Sequence, residues 1–333
     1  MGHHAFLQAL PAYLGGKRRL APLIFSTLAE VLPRAQWAGS TLLDPMCGGG
    51  AISLYAKAQG FSVIASDLAE RGALTARALI ANSNIRLRID DILDLYAEPD
   101  GDYPRIAAAH VPQVFNEAQA AFVDNALARA NRRPEPLRSL LQLVVVKTML
   151  RFQPLSMLSA TDAGAAATGD YDRLTASRLR HYLHADRLLR PSTLWSIAQE
   201  VNAGVFGGSG EASRGNAVTM ITGTTANIVY LDPPYPGTTG YHTAYGVLDE
   251  LLGDTPIASA VPLSLTDLLQ AAEHIPLLVL SFGGPRVTLD QLREQVGQHR
   301  DVLRAIAVPY PHLRSVASEA HRVANRELII IAG

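Results

Sequence analysis

The sequence predicts an α/β fold in which a mixed, mostly parallel sheet carries a helical insertion. Residues 39–94 read as strand, helix, strand, helix and strand, and further buried strands follow residue 226. Strands separated by helices pair in parallel through right-handed crossovers. Residues 96–225 break this alternation. We therefore expect one α/β domain made of residues 1–95 and 226–333, with residues 96–225 inserted as a mostly helical domain.

The first elements are marked by apolar runs that end at acids. Thr41–Asp44 is a short strand that runs into a glycine-rich turn, and a helix follows this turn. The next β-rich run ends at Asp67, and apolar residues alternate with arginine in a third strand that ends at Asp90 or Asp91. The predicted elements are strand 41–44, turn 45–50, helix 51–59, strand 61–66, helix 69–82 and strand 85–89.

The rest of the chain divides into a helical middle and a β-rich end. The middle includes an Ala/Gly/Thr-rich loop at residues 160–169 and a stretch at residues 206–214 that we expect to be flexible. After residue 226, apolar runs predict three more strands, the last of which is buried. The predicted elements are helices 118–130, 136–152 and 172–189, and strands 227–231, 277–282 and 327–331.

Composition excludes several classes of protein. The chain has 333 residues, 48% of them apolar and 18% charged, as in a globular protein with a sizeable core. No apolar run approaches the roughly 20 residues of a membrane-spanning helix, and no basic segment followed by an apolar one opens the chain. The single cysteine, Cys47, excludes an internal disulfide, and the histidines lack metal-ligand spacing. We expect a cytoplasmic protein that binds neither a membrane nor a metal.

Positive charge is concentrated in the predicted insertion. The net charge of the chain is −1, but residues 126–190 contain eleven Arg and Lys against five Asp and Glu. A solvated helix face accounts for such a cluster as well as a surface for nucleic-acid phosphates does. Composition leaves these two interpretations open.

Acids at the strand ends indicate a ligand site. Because parallel strands end at one edge of a sheet, we expect Asp44, Asp67, Asp232 and one of Asp90 or Asp91 along that edge. In open α/β sheets this edge is where ligands bind.

The glycine-rich turn after Asp44 predicts the kind of ligand. Gly48 and Gly50 let a ligand approach the backbone closely, and Asp67, 23 positions after Asp44, is placed to accept both hydroxyls of a ribose. The turn matches neither G-x-G-x-x-G nor the Walker phosphate cradle, and an acid at its start repels phosphate. S-adenosylmethionine carries a sulfonium, an ammonium and a ribose without phosphate, so it fits this pattern.

The run Asp232-Pro233-Pro234-Tyr235 follows an apolar strand and suits a planar amine. It places a carboxylate, a backbone carbonyl and an aromatic ring at the edge of the sheet. Pro233 has a fixed φ and holds Asp232 in an extended conformation, so the carboxylate is stiffly posed.

These motifs together resemble the Dam-like, alpha-order family of S-adenosylmethionine-dependent DNA adenine-N6 methyltransferases. The resemblance covers residues 11–94 and 226–333, and the basic insertion stands where the family has its target recognition region. Met46 departs from the family, which usually has Phe at that position. The motifs that carry the resemblance are Tyr13-Leu14-Gly15-Gly16-Lys17, Asp44-Pro45-Met46-Cys47-Gly48-Gly49-Gly50, Asp67 and Asp232-Pro233-Pro234-Tyr235.

The resemblance implies a Rossmann-like methyltransferase fold and a role for each motif residue. Tyr13, Gly15, Gly16 and Lys17 would line the methionine end of the cofactor. Asp44, Gly48 and Gly50 would hold its amino acid moiety, Asp67 the ribose, and Asp91 or Asp90 the adenine amine. Asp232 and the Pro233 carbonyl would accept the target amine, with Pro234 and Tyr235 completing the motif and the Tyr235 ring stacking on the base.

The implied partner is double-stranded DNA. A target amine lies inside the duplex, so the base must be flipped out at a cost of a few kcal/mol. Methylation of cytosine N4 uses the same geometry and stays open, as does a non-catalytic DNA-binding subunit on the same scaffold. Whether a cognate restriction endonuclease accompanies the protein is also open. The candidate DNA contacts are Arg132, Arg133, Lys147, Arg151, Arg178 and Arg180.

Overall fold

A computed structural model describes residues 5–98, 101–112, 114–152, 189–234, 241–254, 264–283, 287–310 and 326–333. The chain forms two compact units. The helical unit consists of Met1–Tyr13, Ala69–Gly207 and Thr239–Ile257, and the sheet unit of Leu14–Leu68, Gly208–Thr238 and Ala258–Gly333. Each unit is discontinuous in sequence.

The sheet unit is built on a seven-stranded sheet in the order β3-β2-β1-β4-β5-β7-β6. Strands β1 to β5 run in parallel, and β7 is antiparallel to both of its neighbours. The sheet is therefore mixed and mostly parallel, as predicted, and the fold is Rossmann-like. The strands are β1 (Thr41–Asp44), β2 (Ser62–Asp67), β3 (Gly210–Arg214), β4 (Ile228–Leu231), β5 (Leu277–Gly283), β6 (Val302–Pro309) and β7 (Arg326–Ala332).

Helices accompany the sheet and make up most of the other unit. Among the described residues, the α-helices of the sheet unit are α1 (Ala21–Leu28), α2 (Ala51–Ala58), α8 (Ala217–Thr222), α10 (Leu265–Ala271) and α11 (Leu289–Gly297). Those of the helical unit, over the same described ranges, are α3 (Glu70–Thr75), which continues as a π-helical turn (Ala76–Ala81), α4 (Ile89–Asp94), α5 (Glu117–Asn131), α6 (Leu137–Phe152), α7 (Pro191–Asn202) and α9 (Tyr241–Leu251).

The core of the sheet unit explains why its central strands read as unbroken apolar runs. All four residues of β4 are buried, and so are all residues of β7 after the first. A strand covered on both faces has no solvent-facing positions, so alternation disappears. Leu43, Val229, Leu280 and Ile330 meet in one cluster with side chains of the flanking helices.

The order of the strands creates a switch point between β1 and β4. The chain proceeds outward from β1 to β2 and β3, and β4 then pairs on the other side of β1. Ligands of open α/β sheets bind at the carboxyl ends of the strands at such a point. Asp44 ends β1, and Asp232 directly follows β4. The predicted neighbourhood of these two acids is thus confirmed.

The strand predicted over residues 85–89 is wrong. Residues 85–88 form no strand, and α4 begins at Ile89, so Asp90 and Asp91 lie in the first turn of a helix. The backbone groups of Leu87, which a strand would pair with a neighbouring strand, have a side-chain partner instead. Asn202 accepts a hydrogen bond from the Leu87 amide at 2.9 Å and donates one to the Leu87 carbonyl at 2.9 Å. A side chain thus replaces the neighbouring strand that the pattern implied.

The strand that pairs with the outer side of β2 is instead Gly210–Arg214, in the stretch that we expected to be flexible. It pairs with β2 in parallel, with Ile64 opposite Glu211 and Asp67 opposite Arg214. Its sequence is Gly-Glu-Ala-Ser-Arg, and none of its residues is buried. An edge strand with both faces partly solvated has little apolar signal, which explains why the pattern missed it.

The predicted helices over residues 118–130 and 136–152 are confirmed as α5 and α6. The predicted helix 172–189 lies outside the described residues apart from Leu189. Within the part of the chain that the structure describes, no helix is long and apolar enough to cross a membrane. The boundary of the predicted insertion, residues 96–225, stays a prediction.

Candidate active site

The turn after β1 is held against β2 by two hydrogen bonds. The Gly48 amide donates to the Asp67 carboxylate at 2.7 Å, and the Cys47 amide donates to the Ser66 carbonyl at 2.9 Å. Gly48 has φ 50° and Gly50 has φ 75°, a left-handed conformation that a residue with a Cβ rarely adopts. Gly50 then forms the N-cap of α2. The backbone of this turn is therefore fixed in shape and bare of side chains at two positions.

Asp44 is a buried carboxyl at the start of this turn. It is 2% exposed and accepts a hydrogen bond from the Ser53 hydroxyl at 2.6 Å. Burial raises the pKa of Asp44 to about 7, the Ser53 hydrogen bond opposes this shift, and the charges of Asp232 and Asp67 add to it. Three carboxyl groups thus act on one another at the edge of the sheet.

Asp232 has a different partner. Lys17 Nζ lies 2.9 Å from both carboxylate oxygens of Asp232 and also contacts the Gly15 carbonyl at 3.2 Å. The Asp232 side chain is 21% exposed, whereas Lys17 is buried. Pro233 is buried, Pro234 is exposed, and Tyr235 lies outside the described residues. The structure therefore brings Asp232 together with Gly15 and Lys17, which belong to a different motif.

Two residues of this site were missed by sequence reasoning. Glu327, at the start of β7, is 0% exposed and lies 3.4 Å from Lys17 Nζ through Oε1. The Ser281 hydroxyl on β5 donates a hydrogen bond to the same Glu327 oxygen at 2.5 Å. The available signal was an acid within an otherwise apolar strand, Arg326–Ala332, since a fully buried carboxylate needs a charged partner.

Two tyrosines border this group of charges. The Tyr310 hydroxyl donates a hydrogen bond to the Gly16 carbonyl at 3.4 Å, and burial raises the pKa of Tyr310 while the charge of Lys17 lowers it. Burial also raises the pKa of Tyr230 on β4 well above its ordinary value, and the charge of Asp232 adds to this effect. Both phenols are therefore neutral at physiological pH.

Cys47 is a buried residue of the turn. Its thiol has a pKa well above the ordinary value because of burial first and the charges of Asp67 and Asp44 next. A thiol that resists ionisation is a poor nucleophile, so the buried Cys47 side chain acts as a small apolar filler.

The donor set of the turn fits S-adenosylmethionine. Asp44 is a buried acid whose pKa is raised partly by other acids, so a cationic ligand beside it relieves that repulsion. The glycines at positive φ let a ligand contact the backbone, and Asp67 is fixed by the Gly48 amide at the end of the next strand. A phosphate-bearing cofactor would instead meet Asp44 at close range.

Two residues predicted to bind the cofactor belong to the helical unit. Tyr13 stacks on Tyr245 with ring centroids 5.3 Å apart, and the Arg71 guanidinium lies over Tyr245 and pairs with Asp249. Asp91 accepts a hydrogen bond from the Arg88 amide at 2.8 Å and pairs with an arginine of the predicted DNA-binding set. Both residues therefore have structural partners within their own unit.

The predicted DNA-binding residues differ in their surroundings. Lys147 is buried and donates to the Gln8 and Leu10 carbonyls, which removes it from the side chains that we assign to phosphate contact. Arg133 pairs with Asp91 at 3.0 Å, and Arg151 pairs with Glu200. Arg132 is exposed, and Arg178 and Arg180 lie outside the described residues. Among described residues, no group of His, Cys, Asp and Glu could hold a metal ion.

Comparison with known proteins finds similarity to methyltransferases in both a family model and a curated sequence. The model of the D12 class of N6 adenine-specific DNA methyltransferases matches residues 13–128. The type II methyltransferase M2.HphI of Haemophilus parahaemolyticus is 25% identical over 251 residues, which cover 72% of this chain and 70% of that protein.

Solved structures are more distant. A protein from Streptococcus mutans assigned as a SAM-dependent methyltransferase is 12% identical, with a TM-score of 0.38 over 95% of this chain and 48% of that one. A methyltransferase in complex with SAH is 11% identical, with a TM-score of 0.35 over 92% and 49%. The rRNA methyltransferase aviRa from Streptomyces viridochromogenes is 13% identical, with a TM-score of 0.31 over 94% and 84%. The chain spans about half the length of the first two.

The family match covers the glycine turn and the motif that supplies Lys17, and the sequence relative extends over most of the chain. In the sheet unit, the residues of these motifs converge with Asp232 at the switch point. Within residues 13–128, the chain is thus similar to the D12 class of N6 adenine-specific DNA methyltransferases.

Proposed function

We propose that this protein transfers a methyl group from S-adenosylmethionine to the N6 amine of an adenine flipped out of double-stranded DNA. The observation that carries the proposal is the placement of Asp232 at the carboxyl end of β4, beside the β1 turn and in an ion pair with Lys17. This arrangement holds a charged acceptor next to the cofactor turn.

Asp232 and Pro233 compensate for the low nucleophilicity of the exocyclic amine. Its lone pair is delocalised into the purine ring. Hydrogen bonds from the two amine hydrogens to the Asp232 carboxylate and the Pro233 carbonyl favour a pyramidal nitrogen and fix its direction. The contribution is positioning and electrostatic stabilisation, and no covalent enzyme intermediate is needed. S-adenosylmethionine supplies the electrophilic methyl group.

Lys17 maintains the charge of Asp232. An ammonium within 3 Å favours the ionised carboxylate, and an ionised carboxylate has about four lone-pair sites. Lys17 therefore leaves Asp232 with acceptor capacity for the amine. Asp44, Gly48, Gly50 and Asp67 hold the cofactor in this proposal.

Several finer roles belong to the same proposal. Tyr13, Gly15 and Gly16 line the cofactor, Asp91 reads its adenine, and Tyr235 stacks on the flipped base. Arg132, Arg133 and Arg151, with Arg178 and Arg180, contact phosphate. The M2.HphI relative is named a type II methyltransferase, which supports a cognate restriction endonuclease as a functional partner. We place the protein in the cytoplasm, where DNA and cofactor are both present.

The test is methyl transfer from labelled S-adenosylmethionine to DNA by wild type and by Asp232→Ala. We expect the substitution to lower kcat by at least ~10²- to 10³-fold, as removal of one transition-state partner does elsewhere, with little change in cofactor affinity. Sequencing of modified bases in DNA from an expressing host identifies the base and the target. Equal transfer by both proteins contradicts the mechanism, and N4-methylcytosine as the product contradicts the adenine assignment.

A further inference from the structure

We infer that Glu327 is a positioning residue of this active site, which acts through Lys17 on the Asp232 carboxylate. The inference rests on the proposed function, because it assigns Asp232 as the acceptor of the target amine. Nothing in the four motifs points to Glu327, which follows Asp232 by almost a hundred positions and lies on a strand of opposite direction.

The geometry places Lys17 between two carboxylates. An ammonium has three hydrogens, and among the contacts that the structure describes three acceptor groups lie near Nζ: the Gly15 carbonyl at 3.2 Å, Asp232 at 2.9 Å and Glu327 Oε1 at 3.4 Å. Groups arranged on different sides of a buried ammonium fix its position. Lys17 is 3% exposed, so water competes little for these contacts.

The sheet anchors Glu327 itself. In the register of β5 and β7, Glu327 lies opposite Gly283, and Ser281 is its diagonal neighbour on the same face. The Ser281 hydroxyl donates to Oε1, the oxygen that faces Lys17. A chain of contacts thus runs from the middle of β5 through Glu327 and Lys17 to Asp232.

The charges of these contacting side chains determine how well Asp232 accepts hydrogen bonds. Within this group of three side chains, two carboxylates share one ammonium, so Asp232, Lys17 and Glu327 by themselves carry one surplus negative charge. That surplus keeps Asp232 a strong acceptor although it is paired. Without the charge of Glu327, Lys17 neutralises Asp232 alone, and the carboxylate accepts the amine hydrogens less well.

The first experiment compares Glu327→Gln with wild type in steady-state methylation. We expect kcat to fall ~10- to 100-fold, the effect of one charge-assisted hydrogen bond, and KM for S-adenosylmethionine to stay within about threefold. Glu30→Gln is the matched control, because Glu30 forms an exposed ion pair with Arg304 and should leave kcat unchanged. A folded Glu327→Gln protein with wild-type kcat overturns the inference.

A double-mutant cycle separates action through Lys17 from a general effect on folding. If Glu327 acts through Lys17, Glu327→Gln has no further effect on kcat in a Lys17→Met background. Equal fold-losses in both backgrounds contradict the inference. Should Glu327→Gln fail to fold, Ser281→Ala removes only the hydroxyl that holds Oε1, and we expect a loss in kcat of roughly 3- to 10-fold. A folded Ser281→Ala protein with wild-type kcat then overturns the inference.

A second readout needs no activity. The chain has three lysines, Lys17, Lys57 and Lys147, so protein labelled with ¹⁵N-lysine gives three ammonium signals, and Lys17→Met identifies one of them. We expect Glu327→Gln to shift the Lys17 signal and speed its hydrogen exchange, with Lys57 and Lys147 unchanged. An unchanged Lys17 signal overturns the contact. Wild-type protein that methylates no DNA contradicts the proposed function alone, while the signal still decides the contact.

Discussion

Asp44 and Asp232 occupy equivalent places on neighbouring parallel strands, yet their chemistry differs. Asp44 is buried, accepts the Ser53 hydroxyl, and has a pKa of about 7. Asp232 is partly exposed and is held by the ammonium of Lys17. The fold places both carboxyl groups at one edge of the sheet, but their partners differ in charge. Asp44 is bonded by a neutral hydroxyl, whereas Asp232 is bonded by an ammonium. Asp44 thus suits a cationic cofactor, and Asp232 an amine.

Among the substitutions that test the difference between Asp44 and Asp232, we expect removal of the Lys17 ammonium to have the largest effect. Lys17→Met removes the ammonium that contacts both Asp232 and Glu327, and loss of one partner of a buried ion pair costs about 3 to 5 kcal/mol of stability. We expect kcat to fall ~10²-fold or more and the acid limb of the pH–rate profile to move to higher pH, because the carboxylate then binds a proton more readily.

The measurements for Lys17→Met are urea unfolding and kcat between pH 5 and 9. Lys57→Met is the matched control, since Lys57 is also a buried lysine of the sheet unit and burial lowers its pKa to about 8. Wild-type kcat in Lys17→Met contradicts the assigned role.

Neutralising Asp44 should raise the stability of the folded protein, whereas removal of Lys17 should lower it. The unfolded Asp44 carboxyl titrates near 3.8, and the folded one near 7, so the folded state binds more protons between these values and stability falls as pH rises from about 4 to about 7. The full cost is about 4 kcal/mol. Asp44→Asn avoids this cost, so we expect it to be more stable than wild type at pH 8, by a smaller margin at pH 5.

The same substitution should abolish the pH dependence of cofactor binding. Wild-type affinity for S-adenosylmethionine should fall by up to about tenfold per pH unit below 7, as Asp44 takes up its proton. Asp44→Asn should bind weakly at every pH. Calorimetric titration at pH 5, 6, 7 and 8 measures both proteins, and a flat wild-type profile would show that Asp44 is not the cofactor's anion.

The smallest expected effect comes from the hydroxyl that partly restrains Asp44. Ser53 lowers the pKa of Asp44 by donating a hydrogen bond, so Ser53→Ala should move the midpoint of the cofactor-binding profile upward by roughly 0.5 to 1 pH unit. Ser26→Ala serves as the control, because Ser26 is exposed and its hydroxyl donates to the Leu23 carbonyl within α1. A downward shift of the midpoint would reverse the assigned sign.

The sequence predicts what depends on local pattern and misses what depends on distant partners. The ends of β1, β2 and β4 were predicted because buried parallel strands carry an unbroken apolar signal that stops at an acid. The roles assigned to Asp44, Asp67 and Asp232 stay predictions. Residues 85–88 alternated like a strand, but the backbone of Leu87 pairs instead with the side chain of Asn202, 115 positions away.

The misses at the site have the same cause. Edge strand β3 was missed because its residues are polar and partly exposed. Glu327 was missed because its partners, Lys17 and Ser281, become neighbours only once β7 pairs with β5. A sequence motif identifies residues that bind a common ligand. It does not identify a charged residue elsewhere in the chain that holds one of those residues in position.

The position of β7 between β5 and β6 has a consequence for biosynthesis. Lys17 and Asp232 are 215 positions apart, and the strand that supplies Glu327 is the last to join the sheet in chain order. Contacts of such long range form late in folding because loop closure must precede them. Asp232 therefore gains the contact from Lys17 and Glu327 in full only after β7 has joined the sheet, so, under the proposed function, a nascent chain that has not yet added β7 should not modify DNA.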